Sequence, residues 1–246
     1  MSVRGIDRFS LRAAILALGM ALAGWLAGRG FTRARLGDHF VTVKGIAERE
    51  VRADLAIWPL RLVASDNDLA SAHSRIQANV REIMRFLARY GIDTTQVALQ
   101  DFSVSDANVN QFRSEQQIAA RYVIHQTVVV RSNQPDRIQG ASQRVGELVS
   151  AGVVLSSGEE YGSGGPTFIF TGLNRLKPQM IGEATARARE AAEQFAADSH
   201  SGLGGIREAS QGLFEILPRD QASGITEESQ IVKTVRVVTT VQYSLR

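Results

Sequence analysis

FVTVKGIAEREVRADLAIWPLRLV, residues 40–63, holds two runs rich in β-branched and aromatic residues on either side of Ala53-Asp54. Runs of that kind, bounded by turn-favouring residues, read as two strands joined by a tight connection. Pro59 interrupts the second run. A proline has no N–H to give a ladder, so this strand is expected at a sheet edge or a bulge. The period then changes. Leu69, Ala72, Ile76, Val80, Ile83 and Leu87 recur at helical spacing, with Ser65, Asp66 and Asp68 as cap candidates and Gly91 as the stop.

Beyond Gly91, two further strands are predicted over Val97 to Ser105 and Ala119 to Arg131, separated by the polar stretch DANVNQFRSEQQ. In the second, Ile118, Ala120, Tyr122, Ile124, Val128 and Val130 share one face. Arg121, His125, Thr127 and Arg131 share the other, the period of two expected of a half-buried strand. A second helix of about four turns comes next, with Asn133 as cap, Pro135 in its first turn, Ile138, Ala141, Val145 and Leu148 on its apolar face, and Gly152 as stop. After the glycine-rich loop SSGEEYGSGGP come the strand TFIFT, a long alanine-rich helix from about Arg175 to Asp198, and strands at Ile206 to Leu217 and Val232 to Leu245. Paired strands between helices predict an α+β fold: a mainly antiparallel sheet with three helices packed on one face, preceded by one N-terminal transmembrane helix.

The chain has 246 residues, 44% apolar and 22% charged, with no cysteine and a formal charge of +3. Disulfides, thiolate metal sites and a cysteine nucleophile are thereby excluded, and the fold rests on packing. The positive charge is local. Residues 1–35 hold six arginines against Asp7; without them 22 basic residues face 24 acidic ones, which leaves no excess to condense on phosphates and argues against nucleic acid as a partner.

Between Arg12 and Arg29 runs AAILALGMALAGWLAG, free of charge and flanked by arginines. A helix from Leu11 to Gly28 would rise about 27 Å, enough for a marginal membrane span. Its anchoring residues would be Ala13, Ile15, Leu16, Leu18, Leu22, Trp25 and Leu26, with Trp25 suited to the interface. The rival reading is a cleaved signal peptide, with Ala21-Leu22-Ala23 as its cleavage site. Either segment would export the rest of the chain. The uncleaved anchor is favoured because Trp25 and Leu26 carry the apolar run past that site. The expected organisation is a cytoplasmic basic N-terminus over 1–12, the anchor over 13–28, a polar linker over 29–38 and a folded domain over 39–246, placed in the periplasm by a single pass of the inner membrane. A tether in a plane raises effective concentration, so a second copy of the chain is the expected partner.

Motifs that carry a reaction mechanism are missing: no G-x-x-x-x-G-K-[ST], H-E-x-x-H, G-x-S-x-G or G-x-G-x-x-G after a strand. His39, His73, His125 and His200 fall in four separate elements, so no metal pair is implied. Glu159-Glu160 and Glu227-Glu228 read as solvated loop charge, and Gly162-Ser163-Gly164-Gly165 as a loop rather than a phosphate cradle. No catalytic, cofactor-binding or metal-ligating residue is therefore expected, and no cofactor. A triad assembled by folding remains open, because triads are recognised by geometry.

The opening VTVKGIAEREVRADLA, with Val41, Val43, Gly45, Glu48 and Asp54, resembles the start of SIMPL-domain proteins. RYGID before VALQDFSV, the strand beginning at Tyr122, and RAREAAEQFAADSHSGLGGI (Arg187 to Ile206) resemble that family's later blocks in the same order. Ala47 stands where a second glycine is common, and Ala53 where a proline usually precedes the turn aspartate. The resemblance covers about Phe40 to Arg246. It implies an exported envelope protein of a Gram-negative bacterium without established catalytic activity. Some members are linked to oxidative-stress defence, and others are periplasmic immunogens that assemble into ring or channel-like oligomers. It brings no catalytic residues.

Overall fold

A computed structural model describes residues 16–29, 39–107, 120–156 and 164–246. The elements are, in chain order, α1 (residues 16–29), β1 (Phe40–Arg52), β2 (Leu55–Asp66), α2 (Leu69–Arg89), β3 (Val97–Asp106), β4 (Tyr122–Ser132), α3 (Pro135–Ser142), α4 (Gly146–Ser150), β5 (Thr167–Ile169), α5 (Leu173–Asp198), β6 (Leu203–Gln211), β7 (Glu215–Pro218) and β8 (Val232–Leu245). The α+β class holds. The single sheet and the three helices do not: there are two four-stranded sheets, and five helices among the described residues.

One sheet has the order β3-β4-β2-β5, the other β1-β8-β6 with β7 also on β8. The connection at Ala53-Asp54 explains the division. The Ala53 N–H donates to Ile231 O in one direction, while the Asp54 N–H donates to Ile169 O and its carboxylate accepts from the Thr171 N–H and Oγ1. The two opening strands therefore part company at the turn instead of forming a hairpin, and each joins a different sheet. Two compact units result, one from Met1–Ala47, Ile181–Leu213 and Val237–Arg246, the other from Glu48–Met180 and Phe214–Arg236.

In the second unit, Ala56, Trp58, Leu60, Leu62 and Ala64 alternate along β2 on its buried face, against Ile124, Val128 and Val130 of β4. Ala72, Ile76, Ile83, Phe86 and Leu87 of α2 are buried, the Trp58 and Phe86 rings meeting edge-on at 6.4 Å. Pro59 occupies neither an edge strand nor a bulge. It faces Val129 inside the sheet, yet its missing N–H costs nothing. The Val63 N–H and the Arg61 carbonyl both bond to residues 154–156, so by the two-residue alternation the Pro59 nitrogen points the same way, into the gap between that segment and the three residues of β5.

The predicted four-turn helix after Asn133 is broken into α3 and α4, capped at Gln134 rather than Asn133. Gly140 and Gly146 weaken it, and the Ser142 Oγ returns to Gln139 O. Ile138, Ala141 and Leu148 stay buried, so the apolar face survives the break. The strand expected from Ile206 to Leu217 likewise divides into β6 and β7. At the break, the Gly212 N–H donates to Val238 O, and a Cβ on Gly212 would lie 2.9 Å from that oxygen.

In the first unit the core is small: Val43 of β1, Ala188 and Ala192 of α5, Val241 and Tyr243 of β8. Ala184, Ala188, Ala192 and Ala196 form a buried stripe along α5. Opposite it, a Cβ on Gly45 would sit 1.8 Å from Ala184 O and 2.5 Å from Ala188 N. Only a glycine lets helix and strand backbones approach this closely.

Asp68 caps α2, its Oδ2 accepting the Ser71 N–H at 2.8 Å, and that backbone bond holds its carboxyl below the usual carboxylate range. A depressed folded pKa adds stability above the ordinary value of about 4, and that stability is lost as pH falls through the folded value. The melting-temperature gap between the native chain and Asp68→Ala is therefore expected to be widest near neutral pH and to close on acidification to about pH 2. A gap that stays constant with pH would show that the carboxylate charge is not what caps the helix.

Candidate functional site

The alternation of side chains along β3 breaks at a bulge. Gln100 faces Thr127 and Ser103 faces His125, so Asp101 and Phe102 together stand against Gln126. Asp101 takes up the extra residue with φ +52, in the left-handed region that aspartate tolerates better than most residues. The consequence is a re-aiming of side chains. Phe102 turns toward α2, while Asp101 and Ser103 both line the opposite face of the sheet.

That opposite face carries an open cleft of about 670 Å³, lined by Arg61, Asp101, Ser103, His125, Thr127 and Ser156 among others. Strand register builds it: Arg61 of β2 faces Thr127 of β4, and His125 of β4 faces Ser103 of β3. Ser156 arrives because its N–H donates to Arg61 O at 2.9 Å. Thr127, expected on a wet face, is buried at 7% exposure. Folding thus assembles a serine, a histidine and an aspartate in one cleft. No hydrogen bond joins the three among the described residues.

On the α2 side lies an apolar groove of about 640 Å³ between the first turn of α2 and β3, lined by Asp68, Leu69, His73, Phe102, Val104 and Ile124. His73 stands edge-on to Phe102 at 6.4 Å. Leu69, predicted on the core face, is 43% exposed and lines this groove instead. From Ala98 to Ser105 every residue of β3 is exposed, including Leu99, Phe102 and Val104. Large apolar side chains on an uncovered edge strand are the kind of feature that folded chains normally blunt.

Of the residues expected to anchor the chain, Leu16, Leu18, Leu22, Trp25 and Leu26 lie on α1, each more than half exposed, with the Arg29 guanidinium 4.5 Å from the Trp25 ring centre. Ala13 and Ile15 lie outside the described residues, as do Glu159, Glu160, Gly162 and Ser163. No helix among the described residues is long and apolar enough to cross a membrane. No cluster of three or more histidine, aspartate or glutamate side chains there could hold a metal. One loop carboxylate has a different role from the solvated one expected: Glu227 accepts from the ammonium of Lys233, whose side chain is wholly buried.

A model of the SIMPL family, described as a protein of unknown function (DUF541), matches residues 41–243. The chain belongs to the SIMPL family. No curated protein matches it. The SIMPL match begins in β1 and ends in β8, so it spans both sheets, the cleft and the groove. Where SIMPL proteins commonly have proline before the turn aspartate, Ala53 here contributes the N–H that a proline lacks, bonded to Ile231 O at 2.8 Å. Sequence reading missed Arg61, Asp101 and Ser103. The signal for them was the stretch Gln100-Asp101-Phe102, where a polar pair precedes an aromatic out of step with the alternation around it.

Proposed function

We propose that the chain works without catalysis, as a membrane-anchored periplasmic protein of the cell envelope that assembles with copies of itself into a ring or scaffold. The observation that carries this reading is the β3 edge, where Leu99, Phe102 and Val104 are exposed among the described residues, the last two lining one groove with Leu69, and where a second chain would bury them. The apolar residues of α1 support the anchor: a helix exposed all round, with Trp25 near one end, is suited to lipid rather than water. In this reading the folded part lies outside the cytoplasm and the inner membrane is crossed once. A part in stress defence would be indirect, since a chain with no cysteine and four methionines offers little thiol or thioether chemistry.

Light scattering of the detergent-solubilised full chain tests this. The expected mass is a multiple of the protomer, and Phe102→Glu weakens the assembly by about 30-fold or more, the scale of a central aromatic contact. A native chain that stays monomeric at every concentration would overturn the proposal and point instead to a module that binds an envelope partner or ligand.

A further inference from the structure

We infer that the cleft on the outer face of β2, β4 and β3 binds a small dipolar molecule, an unblocked dipeptide, with its carboxylate on Arg61 and its ammonium on Asp101. The charges are the first ground. Arg61 and Asp101 are the two oppositely charged side chains that line the cleft apart from His125, and neither has a hydrogen bond or ion pair among the described residues. Three arginine–aspartate pairs do form elsewhere on the same unit, Arg52–Asp136 at 2.6 Å, Arg75–Asp66 at 3.1 Å and Arg121–Asp106 at 3.2 Å, whereas Arg61 and Asp101 share one cleft without meeting. Two opposite charges left apart in one cleft form a receptor for a molecule that carries both signs.

Spacing is the second ground. Arg61 is on β2 and Asp101 on β3, with β4 between them, so their backbones lie about two strand spacings, or 10 Å, apart. Two extended residues span about 7 Å and a hydrogen bond of about 3 Å at each end brings this to about 13 Å, a difference from the backbone separation that the flexible arginine side chain accommodates. A dipeptide carries its two charges farther apart than a single amino acid does, which suits partners on strands separated by a third. The same cleft presents Ser103, His125, Thr127 and Ser156, hydrogen-bonding side chains suited to one peptide group.

The bulge is the third ground. An uninterrupted β3 would place Asp101 and Ser103 on the same side only by turning both toward the α2 groove; the extra residue at φ +52 turns them to the cleft together. Bulges that re-aim a side chain in this way recur beside binding sites.

Calorimetric titration of the solubilised full chain with L-alanyl-L-alanine provides the test. Binding is expected, and N-acetylation or C-amidation of the peptide each weakens it by about tenfold or more, the scale of one lost charge-assisted hydrogen bond. In Arg61→Gln the amide and the free acid should bind alike, whereas acetylation still matters. In Asp101→Asn, which keeps a residue tolerant of positive φ, the acetylated and free peptides should bind alike, whereas amidation still matters. No heat with dialanine, or blocked peptides that bind as well as the free one, would overturn the inference. The readout does not depend on oligomeric mass, so it stands or falls apart from self-association.

Discussion

Gly45→Val is expected to lower the melting temperature of the full chain by about 10 °C. The cause is a collision of backbones, not a lost contact: the added Cβ alone would meet Ala184 O at 1.8 Å and Ala188 N at 2.5 Å. Neither atom can rotate away, because both belong to the main chain of α5. The helix must lift from β1, and lifting it exposes the alanine stripe and the cluster of Val43, Val241 and Tyr243 packed with it. Overpacking of this kind costs about 3 kcal/mol or more, and about 3 °C per kcal/mol is usual for a chain of this size. Gly182→Ala on the exposed side of the same helix is the matched control. A Cβ there meets nothing within 4 Å, and alanine is the better helix former, so a gain of about 0.5–1 kcal/mol is expected. Melting followed by circular dichroism checks both. A Gly45→Val chain that melts with the native one would mean that α5 is not held against β1 at this distance.

Gly45 also marks how far the sequence could be read. Its place in the opening strand is plain from the residues around it, and so are β1, β2, α2 and the final strand, because each has a run of apolar residues at one period and a stop at its end. The sequence does not say which strand pairs with which. Ala53-Asp54 has the chemistry of a tight turn, but a turn between strands looks the same whether the chain folds back on itself or passes to another sheet. The choice is made by Ile231 and Ile169, which accept the two N–H groups from opposite sides and lie far along the chain. The splits at Gly140–Gly146 and Gly212 are of the same type: glycines visible in the sequence whose effect depends on what approaches them. The cleft was the least legible part. Arg61, Asp101 and His125 lie on three different strands, and a one-residue bulge decides which way Asp101 points. The edge at β3 was hidden for the opposite reason, since Leu99, Phe102 and Val104 read as core in any pattern of hydrophobicity.

Lys233 is the other position where a substitution is expected to act strongly, and the size of the effect should depend on what replaces it. It opens the row Lys233, Val235, Val237, Thr239, Val241 and Tyr243, the buried side of β8, and its side chain is as inaccessible as the valines after it. The stem fills core volume; the ammonium is held by the Glu227 carboxylate and by the Glu227 carbonyl, on the short turn Glu227–Ser229. Alanine removes both contributions, leaving a void and a carboxylate without its cation, and should cost about 3 kcal/mol in urea unfolding. Methionine keeps nearly the same shape without the charge. Because burying an ammonium costs several kcal/mol before any partner offsets it, Lys233→Met should stay within about 1 kcal/mol of the native chain. The two variants together separate volume from charge. If methionine proves as harmful as alanine, the ion pair itself fixes the turn, and cleavage by trypsin at Arg219, in the same connection between β7 and β8, should accelerate equally in both.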